Sequence, residues 1–374
     1  MKYANNLPCK VLYKPDDPEY DESIRQFQGC PTIETTKMGR IFLGWYSGGV
    51  REPDMRNYNL LIYSDDQGKT WSKPLIVIPS DKEHFIHARD IQLFIDPKGA
   101  LHVAWVQNNT EPQPEIIPDK TDTQPLCYDG EYMYNDFTHC EWEIVCDDPD
   151  AKKPVFSAPR LLFPGFMRCK PLFLSDEHWL MFAYNQMGDT YCWSETKDGG
   201  KTYYQVDSGV TKVKTHFDEA MAYVCPNGDI RYFARCWFGR IAEMFSHDGG
   251  KSWGEAKLSD IVHADTRFYV SYTPSGNLIL VTNDSEKERT NMTVALSFDG
   301  GKTFPVKRCI DTRALLSYPD ISFFGERIYL TYDRDRNGYA EIFFLDFTEK
   351  DLMDPEYSFK INIVSKPPKA GYEN

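Results

Sequence analysis

The chain has 374 residues, of which 41% are apolar and 14% aromatic, enough to bury a substantial core. Its 42 basic and 56 acidic residues give a net charge of −14, which argues against nucleic acid or an anionic membrane as partner, since both need a positive face. An acidic small substrate stays open, because a few arginines reverse the potential inside one pocket.

In chain order, residues 1–22 come first, polar and containing prolines, with no apolar run of signal-peptide length. Nowhere does a stretch approach the roughly 18 apolar residues of a membrane helix. The ten cysteines are irregularly spaced and form no Cys-x-x-Cys pair, so neither a zinc site nor a redox motif is indicated. We therefore expect reduced thiols in a cytoplasmic protein. The eight histidines form no His-x-x-x-His pattern, and neither metal nor cofactor is expected.

Six segments then repeat one design: an apolar strand, a polar turn and a strongly apolar strand. They are 30–46, 90–107, 169–184, 219–235, 266–282 and 317–333. A second repeat follows four of them. Ser64-Asp-Asp-Gln-Gly-Lys-Thr-Trp71, Thr196-Lys-Asp-Gly-Gly-Lys-Thr-Tyr203, Ser246-His-Asp-Gly-Gly-Lys-Ser-Trp253 and Ser297-Phe-Asp-Gly-Gly-Lys-Thr-Phe304 share a hydroxyl, an Asp, a Gly, a second hydroxyl and an aromatic. The Asp can accept backbone N–H bonds inside the turn, Gly allows φ > 0, and the aromatic plugs the space beneath. A calcium loop beginning at Ser64 is excluded, because the bidentate Glu it would need is absent. Degenerate copies are expected near 146–159 and 345–351.

These repeats predict an all-β fold, a six-bladed β-propeller of four-stranded antiparallel blades, as one domain over 1–374. Residues 108–139, rich in Pro, Asp and Thr, lack periodicity and read as a long loop over one face.

The turns in this setting resemble the Asp-box, or BNR-repeat, propellers of the sialidase (neuraminidase) superfamily, and the resemblance spans nearly the whole chain. It implies a site on the propeller axis: an arginine triad for a substrate carboxylate, a Tyr nucleophile with a Glu partner, and an Asp acid/base. Tyr suits such a substrate, because a neutral phenol is not repelled by a carboxylate on the anomeric carbon. By resemblance, Glu219 and Arg235 open and close the fourth inner hairpin. Arg289 leads into the fourth turn, and Tyr318 in Ser317-Tyr-Pro-Asp320 is the nucleophile. The loop before the first turn, Gly48-Gly-Val-Arg-Glu-Pro-Asp-Met-Arg-Asn57, supplies the acid/base: Asp54 first, Glu52 second.

Two departures concern one interaction. Gly29 stands where the family's first triad arginine precedes Ile-Pro, and the late Glu that braces that arginine is Asp333, in Tyr332-Asp-Arg-Asp-Arg336. Arg51, Arg89 or Arg334 are candidates to replace the missing guanidinium. Asp90, beside Arg89, is a candidate axial partner, and Asp320 adds a further carboxylate. The resemblance implies a retaining exo-glycosidase acting on sialylated or other acidic oligosaccharides. A sialidase-fold glycosidase or lyase acting on uronic acid-containing glycans, or a non-catalytic glycan-binding propeller, remains open.

Overall fold

The computed structural model describes residues 7–112, 126–128, 130–185, 188–215 and 217–368. Its strands form six antiparallel blades arranged as a β-propeller. The inner strands are Phe27–Thr35, Ile86–Ile95, Phe166–Met167 with Leu172–Phe173, Ala220–Val224, Tyr269–Tyr272 and Leu316–Phe324. Each pairs with the second half of a hairpin expected from the sequence, for example Ala220↔Ala234 and Ser317↔Asp333. Leu12–Tyr13 adds a fifth strand to the outer edge of the first blade. No helix among the described residues is long and apolar enough to cross a membrane.

The repeated turns close as their residue types dictate. Asp248 accepts from Ser252 N (2.9 Å), Ser252 Oγ (2.7 Å) and Ser246 Oγ (2.9 Å). The other three turns repeat this clasp around Asp66, Asp198 and Asp299. The plugs pack on the preceding blade: Trp71 on Phe344, Tyr203 on Phe163 and Trp253 on Trp193, all edge-on with centroids 5.1–5.4 Å apart. Arginines of the preceding blade tie down the turn carbonyls, as in Arg160 to Gly200 O and Arg231 to Gly301 O, both 2.7 Å.

Two expectations are corrected here. The sixth blade has no degenerate turn at 345–351; Thr348 and Asp351 instead form a reciprocal cap on the helix Glu349–Met353. Apart from a bend at 130–131, the segment 108–139 is strand in its described part. Leu101–Pro112 and Tyr132–Cys146 continue their ladder out to Pro112↔Tyr132, and Leu126–Tyr128 pairs alongside. A backbone ladder needs no apolar alternation, which is why periodicity missed it. Residues 113–125 lie outside the described residues.

Candidate active site

Three inner strands carry the same defect at the same place. Register shifts at Gly29/Thr32, Arg89/Gln92 and Ser317/Asp320 mark bulges, and Cys30, Asp90 and Tyr318 sit there with φ of 56°, 54° and 56°. A non-glycine residue in this region costs about 1–2 kcal/mol, so the surrounding fold must hold it there. The bulges bring these three side chains around one guanidinium, that of Arg168. Its Nη1 lies 3.0 Å from Asp90 and its Nη2 3.1 Å from Cys30 Sγ, with its charge centre 4.8 Å from the Tyr318 ring centroid.

Across the axis, Tyr318 Oη donates to Glu219 Oε1 at 2.5 Å. Arg235 donates to Glu219 Oε2 (3.0 Å), and its Nη1 lies 3.4 Å from the Tyr318 oxygen. Its Nε donates to Asp265 at 2.6 Å. Burial disfavours the Glu219 charge, but Arg235 and Arg168 outweigh it and hold the carboxyl at about 2. Burial pushes the Tyr318 phenol up to about 12, against the pull of Arg168 and Arg235. At neutral pH the pair is therefore a neutral phenol hydrogen-bonded to a carboxylate.

Arg289 donates to Asp265 O at 3.0 Å. Its burial, then the nearby charges of Arg336 and Arg235, depress its basicity. Arg336 lies 4.1 Å from the Tyr318 ring centroid, donates to Asp333 (3.0 Å) and pairs with Glu52 (3.2 Å). Asp333 also accepts from Cys30 N (2.6 Å) and Ser317 Oγ (2.5 Å). Below them Arg267 donates to the carbonyls of Arg168 (2.7 Å), Pro31 (2.9 Å), Tyr318 and Pro319 (both 3.2 Å), pinning three other blades to the fifth.

The residues expected from sequence divide clearly. Tyr318, Glu219, Arg235, Arg289, Asp90 and Asp333 come together. Arg51 is exposed on the loop 48–57 and stays outside the buried cluster. Asp54 is turned into its own loop, accepting from Val50 N (3.3 Å), Arg56 N (2.8 Å) and the Arg56 guanidinium (2.5 Å). Burial opposes its charge, but Arg56 prevails and keeps its carboxyl low. From that loop it is Glu52 that reaches the cluster. Asp320 belongs to the wall instead, accepting from Thr32 Oγ1 (2.8 Å) and Ile33 N (2.9 Å). Arg334 is engaged with Glu341 at 3.0 Å. Sequence reading missed Arg168 and Arg336. The signal available for Arg336 was the vacancy at Gly29.

Cys30, Glu52 and Asp90 bring three potential metal-ligating atoms within 4.8 Å of one another. Arg168 already reaches all three, with Glu52 at 4.0 Å, so a cation there would meet a fixed positive charge. Tyr318 is 3% exposed, while the side chains of Glu52 and Asp265 at the rim of the cluster are 20% and 42% exposed. An open cleft of about 700 Å³ lies behind the loop 48–57, lined by Lys10, Arg25, Met55, Tyr58, Ser80 and Lys82. It holds none of the Tyr318 cluster.

Residues 149–330 match the family of BNR repeat-like domains, and residues 62–73 match the BNR/Asp-box repeat. None of the curated protein sequences matches the chain. Among solved structures it is similar to a mutant of NanB sialidase from Streptococcus pneumoniae, with a TM-score of 0.63 and 14% identity over 92% of this chain and 71% of that one. It is similar to the intramolecular trans-sialidase from Ruminococcus gnavus, with a TM-score of 0.62 and 13% identity over 89% and 94%. It is also similar to a mutant alpha-L-arabinofuranosidase from Fusarium graminearum, with a TM-score of 0.58 and 12% identity over 93% and 99%. At such identities the likeness establishes the fold, and function rests on the residues of the axial cluster.

Proposed function

We propose that this chain, a BNR/Asp-box propeller of the sialidase superfamily, is a retaining exo-glycosidase that removes a terminal acidic sugar, an α-linked sialic acid first among candidates. The observation that carries this reading is the Tyr318–Glu219 hydrogen bond of 2.5 Å beside the guanidinium of Arg235. A phenol and a carboxylate so paired, under positive charge, suit a substrate whose reacting carbon bears a carboxylate.

In this scheme Arg235 and Arg289 bind the carboxylate. Tyr318 attacks the anomeric carbon while its proton passes to Glu219. The bond to the leaving oxygen breaks as an acid protonates it, and water then hydrolyses the tyrosyl-sugar intermediate with retention. We assign the acid to Glu52 rather than Asp54. Burial disfavours the charge of Glu52, yet Arg168 and Arg336 outweigh it and keep the carboxyl low. A substrate carboxylate near Arg336 would relieve that hold and let Glu52 carry a proton.

The test is hydrolysis of a 4-methylumbelliferyl α-sialoside by the wild type and by Tyr318→Phe, with uronide glycosides alongside. Turnover of the sialoside that falls at least about a hundredfold in the variant supports the reading. Turnover of a uronide alone, or of no glycoside while binding persists, would move the protein to another substrate class or to a lectin.

A further inference from the structure

We propose that Arg336 is the third guanidinium of the carboxylate site, delivered from the sixth blade into the space that Gly29 leaves in the first. The assignment rests on the acidic-sugar reading above and names the residue that completes it.

Three observations carry it. First, a Cβ placed on Gly29 would lie 2.6 Å from Arg336 Cγ, 2.7 Å from its Cδ and 2.8 Å from its Nε. Any side chain at position 29 and the Arg336 side chain therefore exclude each other. Second, nothing in the backbone asks for glycine there. Gly29 lies inside the strand Phe27–Thr35, paired with Tyr46, and is not among the glycines with positive φ. Glycine weakens a strand interior, so the room it leaves for Arg336 is what explains it. Third, Arg336 is held like a binding group. Asp333 takes its Nε at 3.0 Å, which leaves the two terminal nitrogens facing Glu52 Oε2 (3.2 Å) and Ser317 Oγ (3.4 Å).

Arg336 thus joins Arg235 and Arg289 beside Tyr318, where Arg168 and Arg267 already lie over its ring at 4.8 and 5.0 Å. Buried like charges are unfavourable unless an anion sits among them. Glu52, with its side chain 20% exposed, provides one to Arg336 in the free protein. A substrate carboxylate would take over that position and release Glu52.

The test uses the full chain and calorimetric titration with 2-deoxy-2,3-didehydro-N-acetylneuraminic acid and with its methyl ester. The wild type should favour the acid. Arg336→Ala should weaken acid binding by about 10- to 100-fold, the worth of one charge-assisted contact, and leave ester binding unchanged. Gly29→Arg in the Arg336→Ala background should recover at least tenfold. Arg336→Lys keeps the charge beside Asp333 and serves if the alanine variant fails to fold; it should lose about tenfold, because a point charge replaces a fork. Unchanged acid binding in both Arg336 variants, or equal losses for acid and ester, would overturn this assignment alone. A wild type that does not favour the acid would overturn the functional reading and this assignment with it.

Discussion

Replacing Glu219 by Gln removes one charge and leaves the side-chain shape. In the wild type the Tyr318 oxygen lies 2.5 Å from Glu219 Oε1, and its phenol is pushed up to about 12. Two unit charges about 4 Å apart at an effective dielectric near 20 interact by about 4 kcal/mol, or ~3 pKa units. With the carboxylate gone and Arg168, Arg235 and Arg336 in place, the Tyr318 phenol should ionise roughly 2–3 units lower. Difference absorbance near 295 nm between variant and wild type, followed from about pH 8 to 12, should then show about one tyrosinate formed early. Activity should move the other way. Without an acceptor for the phenol proton, kcat should drop about 10²–10⁴-fold near neutral pH and recover partly on the alkaline side. A folded Glu219→Gln protein with nearly unchanged kcat, or with no early tyrosinate, would refute the view that these two groups work as a nucleophile and its base.

Glu52→Gln should slow a sialyl-lactose substrate about 100-fold and a 4-methylumbelliferyl sialoside less than about fivefold, since the aryl leaving group needs little protonation. The same selective pattern in Asp54→Asn would return the acid role to Asp54. Gly301→Ala and Gly249→Ala share left-handed backbones of +86° and +73°. At Gly301, though, a Cβ would sit 2.3 Å from the Tyr223 oxygen, while at Gly249 nothing lies within 4 Å. Both should lose about 1–2 kcal/mol to strain and Gly301→Ala a further ~1–3 kcal/mol to overpacking; equal urea midpoints would contradict this. The turn carboxylates of Asp66 and Asp248 are held at about 2 by bonds from Thr70 and Ser252. Their folded values lie below the unfolded value near 3.9, so their contribution is present above about pH 4 and lost as pH falls toward 2. The urea midpoint should fall over that window, and less steeply in Asp248→Asn.

What the sequence revealed was local. The turn around Asp248 is fixed by residues within eight positions, and the hairpin from Glu219 to Arg235 by apolar strands on either side of Pro226-Asn-Gly-Asp229. Tyr318 was legible through its neighbours Ser317 and Pro319. The strained φ that aims it into the site was not, because a bulge depends on the facing strand. Arg168 lies in the break of the third blade's inner hairpin, where two short ladders, Phe166↔Tyr184 and Leu172↔Leu180, replace one. Its role depends on Asp90 and Cys30, far away in the chain. The inward turn of Asp54 was not legible, because its ion pair with Arg56, two residues on, depends on how the loop folds. Arg336 is the clearest case: its partners are Asp333 nearby and Glu52 across 284 residues.

Every blade is built from consecutive strands, so among the described residues no strand laces the last blade to the first. Side chains and one backbone bond fasten that joint: Asp333 takes Cys30 N at 2.6 Å, Asp320 takes Ile33 N at 2.9 Å, and Gln28 N donates to Arg336 O at 3.2 Å. Mechanically, this is where a pull on the two chain ends would concentrate its load. Asp333 is also the anchor of Arg336, so one residue both rivets the ring and holds that guanidinium. A small anion clamped by Arg235, Arg289 and Arg336 would bolt the fourth, fifth and sixth blades together next to that rivet. Occupancy should then raise the force needed to unzip the propeller from its ends.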